Sequence, residues 1–247
     1  MTDGAKVFVS DVHLRYDDAP YLARFIAFLD AVPRFGKELY IHGDLFDFYV
    51  GPKQGAREFY RPLFDGVRRL VAEGIAVTLL HGNRDYLMGE DFAAAGARVV
   101  PDRIVLDLGG MKTHLSHGDE FCIHDLSYQR AKRVLRARPV VAMTKALPVA
   151  AAVYAAKLYR KISARKARRS AGGSGNRLGT ILDGVAKLLA RERFDAVIAG
   201  HIHHFAETRL DAPGGPVRLF TTGAWDEWGE GPNFVHFDGR DLSLKRL

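Results

Sequence analysis

The sequence predicts an α/β fold in which two sheets pack face to face, helices lie outside, and one helical segment is inserted. Three observations predict it. The N-terminal half alternates strand-like and helix-like stretches, and the C-terminal third is mostly strand-like with Gly-Gly, Gly-Pro and Asp-Gly turns. Between them, Asp125 to about Asn176 is basic, alanine-rich and helical in pattern. A chain of 247 residues, 47% of them hydrophobic, can bury a core of this size.

Lys6–Ser10 reads as a strand and Tyr21–Ala31 as a helix with apolar residues at helical spacing. Glu38–Ile41 is a second strand, Glu58–Ala72 a second helix and Ala76–Leu80 a third strand. This rhythm implies parallel strands with helical crossovers, whose C-terminal ends are where such sheets hold ligands. Shorter strands follow at Arg98–Val100, Arg103–Leu106 and Lys112–Leu115. After a helix over Leu178–Arg191, strands are expected at Ala196–Ala199, Ala206–Leu210, Val217–Thr222, Phe234–Phe237 and Leu242–Lys245. Residues 1–125 and 177–247 are therefore expected to form the core, with 126–176 as the insertion.

The insertion begins with a basic helix, Tyr128–Arg138, ending before Pro139. Val140–Tyr159 is apolar, but Lys145 and Pro148 interrupt it and make it a poor membrane span. Lys157–Arg169 is densely basic, and Ala171–Gly175 reads as a flexible connector. Of the 36 Lys and Arg, 14 lie between Leu126 and Leu182, a stretch without Asp or Glu; the 22 elsewhere are outnumbered by the 29 acidic residues. The formal charge of +7 thus arises in this segment, which reads as a cap attractive to phosphates or an anionic bilayer. The single Cys122 excludes an internal disulfide framework and fits a reducing compartment. The opening residues lack the charge-then-apolar pattern of a secretory signal, so a cytoplasmic location is expected.

Five motifs punctuate the strand ends: Asp11-Val12-His13, Gly43-Asp44, Gly82-Asn83-Arg84-Asp85, His117-Gly118-Asp119 and Gly200-His201-Ile202-His203. They supply imidazoles, carboxylates and one amide oxygen, a donor mixture suited to Mn²⁺-, Zn²⁺- or Fe-type ions. If side chains alternate along an extended chain, Asp11 and His13 share one side, as do His201 and His203. The expected sets are Asp11, His13, Asp44 and His203 for one ion, and Asp44, Asn83, His117 and His201 for the other, with Asp44 bridging. Two divalent ions about 3.5–4 Å apart suit in-line displacement at phosphorus. Arg84 would neutralise phosphoryl charge, and Asp47, Asp85 and Asp119 could orient the ligand imidazoles. His42, His81, His114, His124, His204 and His236 are taken as structural, Cys122 as packing, and Trp225 and Trp228 as either core or pocket wall.

With these motifs in this order, the chain resembles the calcineurin-like metallophosphoesterases. Within them it is most similar to the UDP-2,3-diacylglucosamine pyrophosphatases of lipid A biosynthesis, through SDVHL, YIHGDLFDFYVG, LHGNRDYLMG, LSHGDEFC and GAW at Gly223–Trp225. Arg84 after Gly82-Asn83, where many wider relatives have His, is shared with the narrower group. The resemblance implies a four-layer αββα sandwich, two divalent ions (Mn²⁺ as the usual metal) and a helical lid that receives acyl chains. It implies water attack on the α-phosphorus of the UDP group, releasing UMP and 2,3-diacylglucosamine 1-phosphate, at the cytoplasmic face of the inner membrane. Asn83, Arg84 and His201 then act in catalysis, and Asn83, Arg84, Asp125, Tyr128 and His201 match substrate contacts. In the lid the best register offers Ser170, Ser174 and Arg177, only the first of which is the family's residue.

Two other readings stand beside this one. A phosphodiesterase or nucleotide pyrophosphatase of the same superfamily would share the centre and differ in substrate. A nucleic-acid-binding module would use the basic block, but the cationic run flanks an apolar helix and does not interleave exposed aromatics, so no nucleic-acid partner is expected.

Overall fold

The computed structural model describes residues 4–170, 178–225 and 232–247, with the backbone alone for 162–170. In chain order the strands are β1 (Lys6–Val9), β2 (Glu38–His42), β3 (Ala76–Leu80), β4 (Arg98–Val100), β5 (Arg103–Leu108), β6 (Met111–Ser116), β7 (Ala196–Ala199), β8 (Phe205–Ala212), β9 (Gly215–Thr222), β10 (Asn233–Phe237) and β11 (Leu242–Arg246). The helices are α1 (Ala19–Ala31), α2 (Pro52–Gly55), α3 (Arg61–Ala72), α4 (Glu90–Ala94), α5 (Leu126–Leu135), α6 (Arg138–Ala146), α7 (Val149–Ser170) and α8 (Gly179–Leu189).

Six strands form one sheet in the order β11-β10-β1-β2-β3-β4, and five form the other in the order β5-β6-β7-β9-β8. The β1-β2-β3-β4 run is parallel throughout, as the βαβα rhythm requires. Alternation along these strands sorts the core into layers. Val7, Val9, Leu39, Ile41, Val77 and Leu79 face outward onto Phe25, Phe28 and Leu29 of α1 and Leu63, Val67 and Leu70 of α3. Phe8, Tyr40 and Leu80 face the other sheet and meet Leu115, Ile198 and Phe220. On the far side, Val197, Ala199 and Leu219 pack against Ile181, Val185 and Leu189 of α8. Helix, sheet, sheet and helix make the four layers of an αββα sandwich.

Prolines move several expected boundaries. Pro62 falls in the first turn of α3, where its missing N–H costs nothing, so the stretch from Glu58 divides into a 3₁₀ turn and a helix. Pro139 likewise starts α6, and α5 ends earlier, at Leu135. The apolar stretch Val140–Tyr159 is broken at Pro148, and its second half continues into the basic run as one helix, α7. No helix among the described residues is long and apolar enough to cross a membrane.

Helices α5 to α7 lie over the ends of the strands that carry the motifs. Ala152 and Val153 of α7 bury against Phe48 and Val50, just beyond β2. From α5, Tyr128 donates its hydroxyl to Asp119. Arg136, just past that helix, donates to Gly82 O at 2.9 Å.

Candidate metal centre

The five motifs meet across one edge of both sheets, but not by strand alternation. β1 ends at Val9, and the following turns place Asp11 (φ 53°), His13 (φ 55°), Asp44 (φ 52°), His201 (φ 69°) and His203 (φ 53°) in the left-handed region. Convergence therefore comes from kinked loops, which corrects the extended-chain reading. Left-handed backbone is costly for non-glycine residues and persists where the surroundings impose it. Here Asp11 N donates to Gly43 O at 3.1 Å, His13 N to Asp44 O at 3.0 Å and Gly200 N to His117 O at 2.8 Å.

Two glycines let these loops approach. A Cβ on Gly82 would collide with Asp44 Oδ1 and its backbone nitrogen, and one on Gly200 with Ser10 Oγ and Asp11 Oδ2. Gly82→Ala is therefore expected to push Asp44 out of register. Stability should fall by about 1–3 kcal/mol, together with bound metal. Thermal melting and metal content check this, and an unshifted melt with full metal would refute it.

Asp11, His13 and His203 form one group of converging donors, and Asp11, Asp44 and His117 another. His13 Nε2 stands 3.7 Å from Asp11 Oδ1 and 3.5 Å from Asp44 Oδ2, and His203 Nε2 stands 3.5 Å from Asp11 Oδ1. The other Asp44 oxygen, Oδ1, is 3.5 Å from His117 Nε2, so the Asp44 carboxylate, like that of Asp11, stands beside both groups. Asn83 Oδ1 lies 3.0 Å from both His117 Nε2 and His201 Nδ1. Each donor in the two expected sets thus has others of its set beside it.

These groups fit a divalent cation. Asp11 Oδ1 is buried without a hydrogen-bond partner, a costly condition for a carboxylate oxygen unless a cation answers it. Burial works to raise the Asp11 carboxyl, yet His203, His117 and His13 outweigh it and hold it well below the usual range. Burial likewise opposes ionisation of Asp44, and His117, His13 and Arg84 reverse it. Burial and His117 push His201 down to about 4, keeping it in the neutral form that ligates metals. His117 Nδ1 lies 3.2 Å from His42 O, which orients the ring and turns Nε2 toward Asp44.

The acidic neighbours play other parts than the imidazole-orienting one expected of them. Asp85 accepts the backbone N–H groups of Gly82 (2.9 Å), Asp44 and Phe46 (both 3.3 Å), tying two ligand loops together. Burial and nearby Asp44 push its carboxyl up to about 7. Asp47 pairs with Arg84 and Arg160, and Asp119 with Tyr128 and Lys132. Arg84 Nε is 3.1 Å from Asp44 Oδ2, directly beside a carboxylate shared by both groups.

Tyr128 reaches the centre, its ring 5.8 Å from that of His201. Asp125 instead caps α5, accepting Tyr128 N at 2.9 Å, and is exposed. Ser170 ends α7 but its side chain is outside the described atoms, and Ser174, Arg177, Trp228 and the glycine-rich connector lie outside the described residues. Trp225 resolves to core: it is 1% exposed and packs on Phe25 and Phe28. Of the histidines taken as structural, His81 lies on Met88 O, His236 on Phe35 O and His42 on Ser116 O, while His124 pairs with Asp183 at the surface. Burial raises the Cys122 thiol to about 12, an inert state. Sequence reasoning did not single out Lys132, Arg136 and Arg160, which reach back from the insertion to the ligand loops. Their only signal was the acid-free run.

A family model described as calcineurin-like phosphoesterase matches residues 7–205. The chain belongs to that family. Among relatives of this phosphoesterase, UDP-2,3-diacylglucosamine hydrolase of Pseudomonas aeruginosa is 34% identical over 90% of this chain and 92% of its own. The enzyme of the same name from Nitrosococcus oceani is 33% identical over 90% of this chain and 88% of its own. Among solved structures, an archaeal phosphodiesterase aligns over 98% of this chain and 99% of its own, at a TM-score of 0.47 and 13% identity.

Proposed function

We propose that this phosphoesterase hydrolyses the pyrophosphate of UDP-2,3-diacylglucosamine by water attack on the α-phosphorus, giving UMP and 2,3-diacylglucosamine 1-phosphate. The observation that carries the proposal is a full set of seven converging donors in a chain alignable over nine-tenths of its length with hydrolases of that name. Asp11, His13, Asp44 and His203 would hold one divalent ion, and Asp44, Asn83, His117 and His201 a second, with Mn²⁺ the metal the resemblance favours. Such a pair supplies Lewis-acid stabilisation of phosphoryl charge and an activated water at neutral pH.

The chain's own groups do the rest. Arg84, beside the shared carboxylate, is placed to bind a phosphoryl oxygen through its planar fork of donors. Tyr128 forms a wall next to His201, and helices α5 to α7 act as a cap that limits water. A cavity of about 190 Å³ beneath that cap has one apolar side, of Val50, Pro52, Leu147, Val149 and Ala152, for hydrocarbon, and a charged rim of Lys53, Glu90 and Lys145. Turnover in H₂¹⁸O with Mn²⁺ tests the reading: UMP should carry the label. Label in the sugar phosphate would place attack at the other phosphorus, and an intact substrate beside cleaved simple phosphodiesters would refute the substrate.

The same cap supports a peripheral seat on an anionic membrane surface, at the cytoplasmic face of the inner membrane. Leu126, Val134, Met143, Leu147, Tyr154, Leu158 and Tyr159 are exposed large hydrophobics on or beside its helices, in a stretch of sequence that carries cations and no acids. Burying such side chains at an interface with anionic headgroups is favourable on both counts. Replacing Tyr154 and Leu158 by Ser, and Arg130 and Lys161 by Gln, should reduce sedimentation with anionic liposomes several-fold without changing the melt. Undiminished sedimentation would refute this seat.

A further inference from the structure

Asp11 has one carboxylate oxygen fully engaged by protein and the other bare. Oδ2 accepts the His201 backbone N–H at 2.9 Å and the Ser10 hydroxyl. Ser10 Oγ lies 2.5 Å from Thr222 Oγ1, whose alternative acceptor, Ala199 O, is farther at 3.4 Å. Each hydroxyl has one proton. Ser10 commits its proton to the carboxylate, so Thr222 must donate to Ser10, and the chain of donors runs one way toward Asp11. Polarisation along such a chain strengthens each link.

The relay is sealed from solvent: Ser10 and Thr222 are 0% exposed. It also spans the two sheets, since Ser10 follows β1 of one and Thr222 ends β9 of the other. Gly200 makes room for it, because a Cβ there would strike both Ser10 Oγ and Asp11 Oδ2. With Oδ2 held, the carboxylate cannot rotate, and Oδ1 stays between His203 Nε2 (3.5 Å) and His13 Nε2 (3.7 Å).

Resting on the two-ion reading above, we propose that Ser10 and Thr222 are positioning residues that lock Asp11. They commit Oδ2 to the protein and Oδ1 to the ion shared with His13 and His203. The two ions are then unequal in their dependence on this relay. Nothing in it touches Asn83; its hydrogen bond to the other set is through the His201 backbone N–H, while Asp44 and His117 stand near Asp11 itself.

Mn²⁺ binding to the full chain, followed by the spectroscopic signal of free Mn²⁺, tests the proposal. Ser10→Ala and Thr222→Val should each weaken one of two binding steps by about 10–100-fold, the usual cost of losing a group that orients a ligand. The other step should stay within about twofold, the metal-free melt should hold, and Thr222→Ser, which keeps the hydroxyl, should bind like wild type. Unchanged affinities, equal weakening of both steps, or Thr222→Ser behaving like Thr222→Val would overturn the relay. A wild-type chain that takes up only one ion would instead overturn the two-ion reading, and the proposal with it.

Discussion

Asp44→Ala is expected to reduce phosphodiester and pyrophosphate turnover by roughly 10³-fold or more, beyond the 10²–10³ that one charge-stabilising donor supplies. The reason is geometric. Asp44 Oδ2 lies 3.5 Å from His13 Nε2 and Oδ1 lies 3.5 Å from His117 Nε2, so its loss removes a donor from both groups at once. It also takes from the Arg84 guanidinium one of its two carboxylate partners, the Nε contact at 3.1 Å, and leaves the other, Asp47. Losing the carboxylate also takes from the Arg84 backbone N–H the acceptor it holds at 3.0 Å, which destabilises the fold. Asp44→Asn is therefore the companion variant: it keeps the side chain's volume and an oxygen for the Arg84 N–H, yet cannot bridge two cations as a carboxylate does. Both variants should fall below two ions per chain, and Asp44→Asn should melt nearer to wild type. Turnover retained by Asp44→Asn would contradict the shared-carboxylate account.

Arg84→Ala should lower kcat by about 10²-fold, the scale of one lost charge stabiliser. Metal content should hold at the wild-type level. That split separates the two positions: Asp44 acts on the ions, Arg84 on the phosphoryl group. Arg84→Lys should recover only part of the rate, because a point charge cannot reproduce a planar guanidinium that reaches Asp44 and Asp47 together. An unchanged rate in Arg84→Ala would mean that the guanidinium only braces Asp47.

Much of this was legible in the sequence, and the remainder has identifiable physical causes. The parallel run β1 to β4 followed from the spacing of short apolar stretches, because buried strands and crossover helices leave distinct periodicities. The seven donors were legible because each stands at a strand end beside a glycine or in a paired motif. What failed was the local geometry. Asp11 and His13 were read as neighbours on an extended chain, whereas both sit at positive φ, a conformation uncommon outside glycine that Asp and His adopt more readily than most.

Contacts between segments remote in sequence were equally hidden. Asp85 looked like a partner for imidazoles but binds three backbone N–H groups from two loops. Ser10 and Thr222, 212 residues apart, meet only once the sheets have packed. Lys132, Arg136 and Arg160 could be counted in the basic block, yet their direction depends on where α5 and α7 dock. Phe48 and Val50, which receive α7, lie more than a hundred residues upstream of Ala152.

Metal stoichiometry tests the central claim most directly. The purified chain, dialysed against Mn²⁺ and then metal-free buffer, should retain close to two ions. The Asp11→Asn and Asn83→Ala variants should each lose one of them. A wild-type chain holding at most one ion, or both variants still holding two, would contradict a dinuclear centre built on these residues.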